Sequence, residues 1–165
     1  MDISKVIPDS APVWSRLHSS LLAFTRKYGA GRITQEAYRK LQKLTPAAMR
    51  LPGCAVFIAT VCTEDGPRLA GLSLVTAYGD DTSIVVVHPL YRGRQIGARL
   101  LKAQLAEMGR IRCRVALDNV PSLKMCFNAG LTAGQMIQGP TGKPTLVLEK
   151  SRSAPEATAT SANLI

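Results

Sequence analysis

The 165-residue sequence is most informative first in what it lacks. No apolar run approaches the roughly 18 residues that a membrane-spanning helix requires. The opening MDISKVIPDS has no basic segment followed by an apolar one, so it does not read as a secretory signal, and the expected location is cytoplasmic. Cysteine is scarce: Cys54, Cys62, Cys113 and Cys126 form no CxxC pair and sit mostly within apolar runs. That spacing offers neither a zinc site nor a disulfide framework, and the expectation is buried, reduced thiols with no metal. Aromatic residues make up only 5% of the chain, which leaves few platforms for stacking nucleic-acid bases. Zinc-finger and RNP-like motifs are absent, so no motif indicates nucleic-acid binding.

Acidic residues are also few. Eleven Asp and Glu face 21 Lys and Arg, for a net charge of +10. The imbalance is uneven: residues 1–50 carry nine basic against three acidic side chains, 51–90 one against four, and 91–150 ten against three. A basic surface of this kind favours anionic partners, whether a phosphorylated cofactor, an acidic protein or nucleic acid, and names none of them.

What is present is a chain with 46% hydrophobic residues, whose length suits one domain over 1–150 with a flexible Ser/Ala/Thr-rich tail over 151–165. From Val13 to Tyr28, the residues Trp14, Leu17, Leu21, Phe24 and Tyr28 recur at helical spacing, and Thr34 is placed to cap a second helix reaching about Leu44. Pro46 and Pro52 read as breaks. Three β-branched runs follow (CAVFIATVC, RLAGLSLVTAY and SIVVVHP), separated by turn-forming Glu64–Pro67 and Gly79–Asp81, as expected of antiparallel hairpins. Helical spacing returns over Gly97 to Met108. A strand over RIRCRVALD, a short helix from Pro121 to Ala129 and a hairpin formed by Gln135–Ile137 and TLVLEK complete the pattern. The predicted class is α/β (α+β), ordered α-α-β-β-β-α-β-α-β-β, with Asp2 to Pro8 a candidate edge strand.

The chemistry concentrates in VVVHPLYRGRQIGARLL. A buried strand must stop pairing at Pro89, a turn containing Gly93 and Gly97 follows, and a helix begins. Amides at a helix start have no internal partner and carry partial positive charge, and small residues let an anion approach them. Arg92, Arg94 and Arg99 add full charges. The turn Arg92–Ala98 is therefore a candidate diphosphate site, although it is neither a Walker loop nor a dinucleotide fingerprint.

Here the sequence resembles the GNAT superfamily of acyl-CoA-dependent N-acetyltransferases. Val87, Pro89, Tyr91, Arg92, Gly93, Ile96 and Gly97 match the family's V-x-P-x-Y-R-G string and its Arg/Gln-x-x-Gly-x-Gly/Ala cofactor motif, with Gln95 replacing the middle glycine. Asn119, Ser122, Met125, Cys126, Gly130 and Leu131 fall on a second family segment, where Cys126 stands at the usual tyrosine. The resemblance covers about residues 10–150 and implies a mixed, mostly antiparallel central sheet flanked by helices.

It further implies acetyl-CoA as cofactor and an amine acceptor: a small molecule, a protein or an aminoacylated RNA. Backbone groups of Val85, Val86 and Val87 would pair with the pantetheine arm, and the amides of Arg92, Gly93, Arg94, Gln95, Ile96, Gly97 and Ala98 would hold the diphosphate. Gln95 is compatible with that role if its φ is ordinarily helical. Asn119 would reach the pantetheine or cap the helix at Pro121–Ser122. For catalysis the candidates are His88 as base and Cys126 or Tyr91 as proton donor, with Cys126 more readily read as a buried core residue. His18 reads as a semi-buried helix residue. Tyr28, Tyr38 and the Gly139–Lys143 turn are candidate specificity elements. The sequence leaves open whether the chain is a catalyst or a CoA-binding module, and its oligomeric state, a homodimer among the options.

Overall fold

The computed structural model describes residues 1–140 and 142–152; the rest of the expected tail, 153–165, lies outside the described residues. In chain order the elements are β1 (Asp2–Lys5), α1 (Ala11–Tyr28), α2 (Gln35–Gln42), α3 (Pro46–Met49), β2 (Ala55–Thr63), β3 (Gly66–Thr76), β4 (Thr82–Val87), α4 (Ile96–Met108), β5 (Arg110–Ala116), α5 (Val120–Asn128), β6 (Thr132–Gln138) and β7 (Pro144–Ser151). The candidate edge strand is present and pairs with β2. Helix α1 starts earlier than hydrophobic periodicity indicates. Ser10 caps it by accepting from the Val13 amide, and Pro12 occupies the first turn, where a missing N–H costs nothing. Pro46, expected as a break, opens α3 for the same reason, behind a Thr45 cap.

The strands form two hydrogen-bonded sheets, flanked by helices as expected. One runs β1-β2-β3-β4, the other β5-β7-β6, and every pairing is antiparallel. β4 and β5, linked through α4, share no ladder. They meet where Ser83 Oγ lies 3.3 Å from Cys113 Sγ. Around that point the turn after β3 is pressed onto β5. Gly79 adopts φ +95 with no room for a methyl group beside the Arg112 carbonyl, and Asp80 accepts from Arg112 at 3.0 Å.

Helices cover both faces of the larger sheet. Trp14, Leu21, Phe24 and Leu41 from α1 and α2 pack on Val56, Leu72, Leu74, Ile84 and Val86. On the other face α4 lays Ile96 and Leu100 over Ala55, Phe57, Ala59 and Ala70. Small residues there allow close approach; a Cβ at Gly71 would sit 3.1 Å from Ile96 Cγ2. Buried Gln104 ties α4 down, its Nε2 donating to the Ala55 carbonyl at 3.0 Å and facing the Ser73 carbonyl and hydroxyl, each at 3.3 Å. The opposite side of α4 carries Leu101 and Leu105 into a core with Cys113, Val115, Cys126, Leu131 and Leu148. Among the described residues no helix is long and apolar enough to cross a membrane.

Because Gly79 combines a positive φ with backbone contact, Gly79→Ala is expected to lower unfolding free energy by about 2 kcal/mol or more. Urea denaturation measures this, and a neutral result would mean that the turn does not pin β4 to β5.

Candidate active site

Beyond the Ser83–Cys113 contact the two sheets part, and a cleft of about 280 Å³ opens at the far end of β4. Three segments wall it: the α1–α2 connection (Tyr28, Gly29, Arg32, Ile33), the end of β4 with the turn into α4 (Val85–Val87, Tyr91–Gly93, Gln95–Ala98), and one side of α5 (Pro121, Ser122, Lys124, Met125, Asn128).

The turn into α4 is built as the sequence suggests. Pro89–Tyr91 makes a single tight turn, Gly93 takes φ +80, and the first amide that bonds into the helix is Arg99 to the Gln95 carbonyl at 3.0 Å. Ahead of it, the amides of Gly93, Arg94, Gln95, Ile96, Gly97 and Ala98 find no acceptor among the described residues. Six unengaged donors at a helix start make a strong anion cradle. Arg92 and Arg94 beside it are exposed. Gly97 is needed against α5, since a Cβ there would collide with the Met125 side chain.

The edge of β4 supplies the second feature. His88 donates its amide to the Ala70 carbonyl on β3 at 2.8 Å. Alternation along the strand then directs the N–H and C=O of Val85 and Val87 to the side away from β3, where the cleft begins. Val85 and Val87 are thus the open-edge residues of the expected trio, and Val86 belongs to the β3 ladder.

Gln95 departs from expectation. Its φ is +64 with ψ +19, so the position is left-handed and not ordinarily helical. The backbone path that a glycine adopts freely is kept here by a side chain that bears the strain, at about 1 kcal/mol. The cradle therefore survives the replacement because the local conformation is retained.

The candidate catalytic residues separate. Cys126 is 1% exposed, lies in the core beside Cys113 and does not line the cleft. A hydrogen bond with Cys113, and then burial, push its thiol well above the ordinary range, so it has neither access nor acidity for proton donation. His88 lies behind the cleft wall, its ring centroid 4.4 Å from that of Tyr28 and 5.3 Å from that of Tyr91. Its Nδ1 accepts from the Leu90 amide at 3.1 Å, so the nitrogen that a neutral imidazole uses as a base is already engaged. Partial burial, then the cations Arg68, Lys27 and Arg92, lower its pKa below the imidazole norm. Tyr91 does line the cleft, with the Arg94 guanidinium 5.6 Å from its ring centre.

Asn119 acts as the cap of α5, accepting from the Ser122 amide at 3.4 Å, and it is not on the cleft wall; Ser122 is. His18 is structural, stacked on Trp14 and bonded through Nε2 to the Leu41 carbonyl at 2.7 Å. Tyr38 accepts from Arg26 at 2.7 Å and lies away from the cleft, unlike Tyr28. The described part of the Gly139–Lys143 turn is also off the wall, its Lys143 paired with Asp118 at 2.8 Å. Cys62, expected to be buried, is exposed near the end of β2. Sequence reasoning missed Arg32 and Ile33, which follow a loop glycine with no periodicity to mark them. It also missed Lys124 and Asn128, although their spacing from Pro121 already assigns them to one side of a helix.

Two expectations follow. Gln95→Gly is predicted to change stability by less than about 1 kcal/mol, the relief of strain offsetting added chain entropy, whereas Gln95→Val costs about 1–2 kcal/mol. Thermal and urea unfolding compare them. By NMR titration, His88 is predicted to protonate below the ordinary value of about 6.5, with Arg68→Gln raising the midpoint. The unfolded chain takes up this proton first as pH falls. This contribution to stability is therefore complete above about pH 6.5 and declines toward the folded midpoint. An unshifted midpoint would contradict the positive surroundings described.

No protein-family model matches the chain, and no curated protein matches it in sequence. Solved structures do. A chimera of spermidine N-acetyltransferase SpeG from Vibrio cholerae and hSSAT superposes with a TM-score of 0.65 at 10% identity, over 93% of this chain and 97% of that one. Aminoglycoside acetyltransferase AAC(6')-Ib, in complex with paromomycin and acetyl-CoA, gives 0.62 at 13% identity, over 94% and 97%. The same enzyme with coenzyme A gives 0.58 at 15%, over 96% and 99%. The chain has the GNAT acetyltransferase fold.

Proposed function

We propose that this protein is an acetyl-CoA-dependent N-acetyltransferase that acetylates a primary amine by direct attack. The observation that carries this reading is the pairing of two unengaged backbone surfaces along one cleft. Six free amides at the start of α4 suit a diphosphate, and the open N–H and C=O groups of Val85 and Val87 suit an arm that contains amides. Acetyl-CoA has both groups in that order, and bound there it would supply an activated acetyl thioester. The fold shared with acetyltransferases is a further support.

The chain's own contributions are holding, shielding and proton transfer. The α4 amides with Arg92 and Arg94 neutralise the phosphates, and Met125 against Gly97 closes the floor of the cleft. The attacking amine must be neutral. Lys27, Arg32, Arg68 and Arg92 gather at that end of β4, and positive surroundings disfavour an ammonium ion. With Cys126 in the core and His88 behind the wall, Tyr91 is our candidate to return a proton to the departing thiolate.

Thiol release from acetyl-CoA across a panel of primary amines tests the activity, and CoA-dependent thermal stabilisation tests binding separately. Stabilisation without turnover on any amine would favour a non-catalytic CoA-binding module, for which the buried Cys126 at the usual tyrosine position speaks. For an active enzyme, Tyr91→Phe is expected to lower kcat by about 10²-fold, the lower range of general acid catalysis, while Cys126→Ala leaves kcat within about twofold. The reverse pattern would return the proton-donor role to Cys126.

A further inference from the structure

The acceptor half of the cleft has a chemical character of its own. The α1–α2 connection contributes Tyr28, Gly29, Arg32 and Ile33. It lies with the helices that cover one face of the larger sheet, whereas α4, with its amide cradle, covers the other face. Arg32 thus comes from a different segment than the α4 turn, although both line one cleft.

Among the described residues, no aspartate or glutamate lines the cleft. Arg32 is exposed and has no ion pair or side-chain hydrogen bond among the described residues. Lys27 lies over the Tyr28 ring at 5.3 Å, and with Arg68 and Arg92 it acts on His88, where no carboxylate balances them. The carboxylates of several surrounding elements are committed elsewhere: Asp80 to Arg112, Asp81 to Lys40, and Asp118 to Lys143. Glu36, in the first turn of α2, is the nearest acidic residue in sequence to Arg32 and is not paired with it.

A polycationic acceptor is poorly served by such a wall. Each additional ammonium group would meet like charge with no carboxylate to receive it. An anion placed next to the reacting amine would instead find a free guanidinium with a forked donor geometry suited to carboxylate or phosphate. We propose that the acceptor is a small amine bearing a carboxylate or phosphate beside its amino group, and that Arg32 recognises that anion. This rests on the acetyltransferase reading above and adds to it the acceptor class, which differs from spermidine and from the aminoglycosides of the structural neighbours.

The test measures kcat/KM for β-alanine, phosphoethanolamine, propylamine, putrescine and spermidine at two ionic strengths. One or both anionic amines are expected to exceed propylamine and putrescine by about 10- to 100-fold, the range of a charge-assisted hydrogen bond. That margin should shrink as salt rises. Whichever of β-alanine and phosphoethanolamine is faster identifies carboxylate or phosphate as the recognised anion. Arg32→Gln should erase the preference mainly through KM, and Arg32→Glu should reverse it, with CoA-dependent thermal stabilisation serving as the control for folding. Putrescine or spermidine turned over as well as the anionic amines, or a preference unaffected by Arg32→Gln, overturns the acceptor class and leaves acetyl transfer standing. No turnover on any amine overturns acetyl transfer itself, and the acceptor class with it.

Discussion

Ser83 and Cys113 bring the start of β4 against the middle of β5, and the contact is reinforced by Gly79 pressed on the Arg112 carbonyl and by the Asp80–Arg112 pair. Pro89 ends β4 as a ladder strand a few residues later. Held at one end and released at the other, the two sheets form a wedge whose open side is the cleft. The free backbone of Val85 and Val87 exists only because β5 does not follow β4 to its end. An unpaired strand edge is ordinarily a liability for aggregation. Here it lies within a concave site between α4 and α5, where an extended ligand can complete the sheet.

The second element of the site, the start of α4, depends on the same arrangement. Gln104, Leu100 and Ile96 clamp α4 across β2 and β3, so the helix start is fixed beside the end of β4. Its amides are then oriented before any ligand arrives, which limits what binding loses in ordering. The left-handed Gln95 is held by this clamp together with the turn at Pro89–Tyr91. Local strain that persists in a site over-determined by its surroundings is a common feature of functional positions.

In the proposed reading, cations serve the two halves of the cleft differently. Arg92 and Arg94 flank a backbone cradle and suit phosphate, while Arg32 lies with Tyr28 on the wall formed by the α1–α2 connection. A net charge of +10 says little about either, because most of it is dispersed over the surface. Its informative part is local: a cleft edged by cations and lined by no carboxylate among the described residues.

The sequence by itself determined most of the elements and marked the turn into α4 that lines the cleft. Helical spacing, Pro121 at a helix start, Gly93 and Gly97, and the β-branched run before Pro89 are local signals, and each acts through neighbours within a few residues. The structure retains them at nearly the expected bounds, except that the Ser10 cap moves the start of α1 forward, β6 begins three residues before the expected Gln135, and α3 forms where Pro46 reads as a break. Only the tertiary structure decided which side chains face the cleft. Cys126 and Met125 are adjacent in sequence, and the 100° step of a helix sends one into the core and the other to the ligand side. His88 lies one residue beyond open-edge Val87 and falls behind Tyr28 and Tyr91. The splitting of the sheet and the arrival of Arg32 at its rim were not legible for a related reason. Both depend on contacts between segments tens of residues apart, such as Ser83 with Cys113, and no local pattern records such contacts.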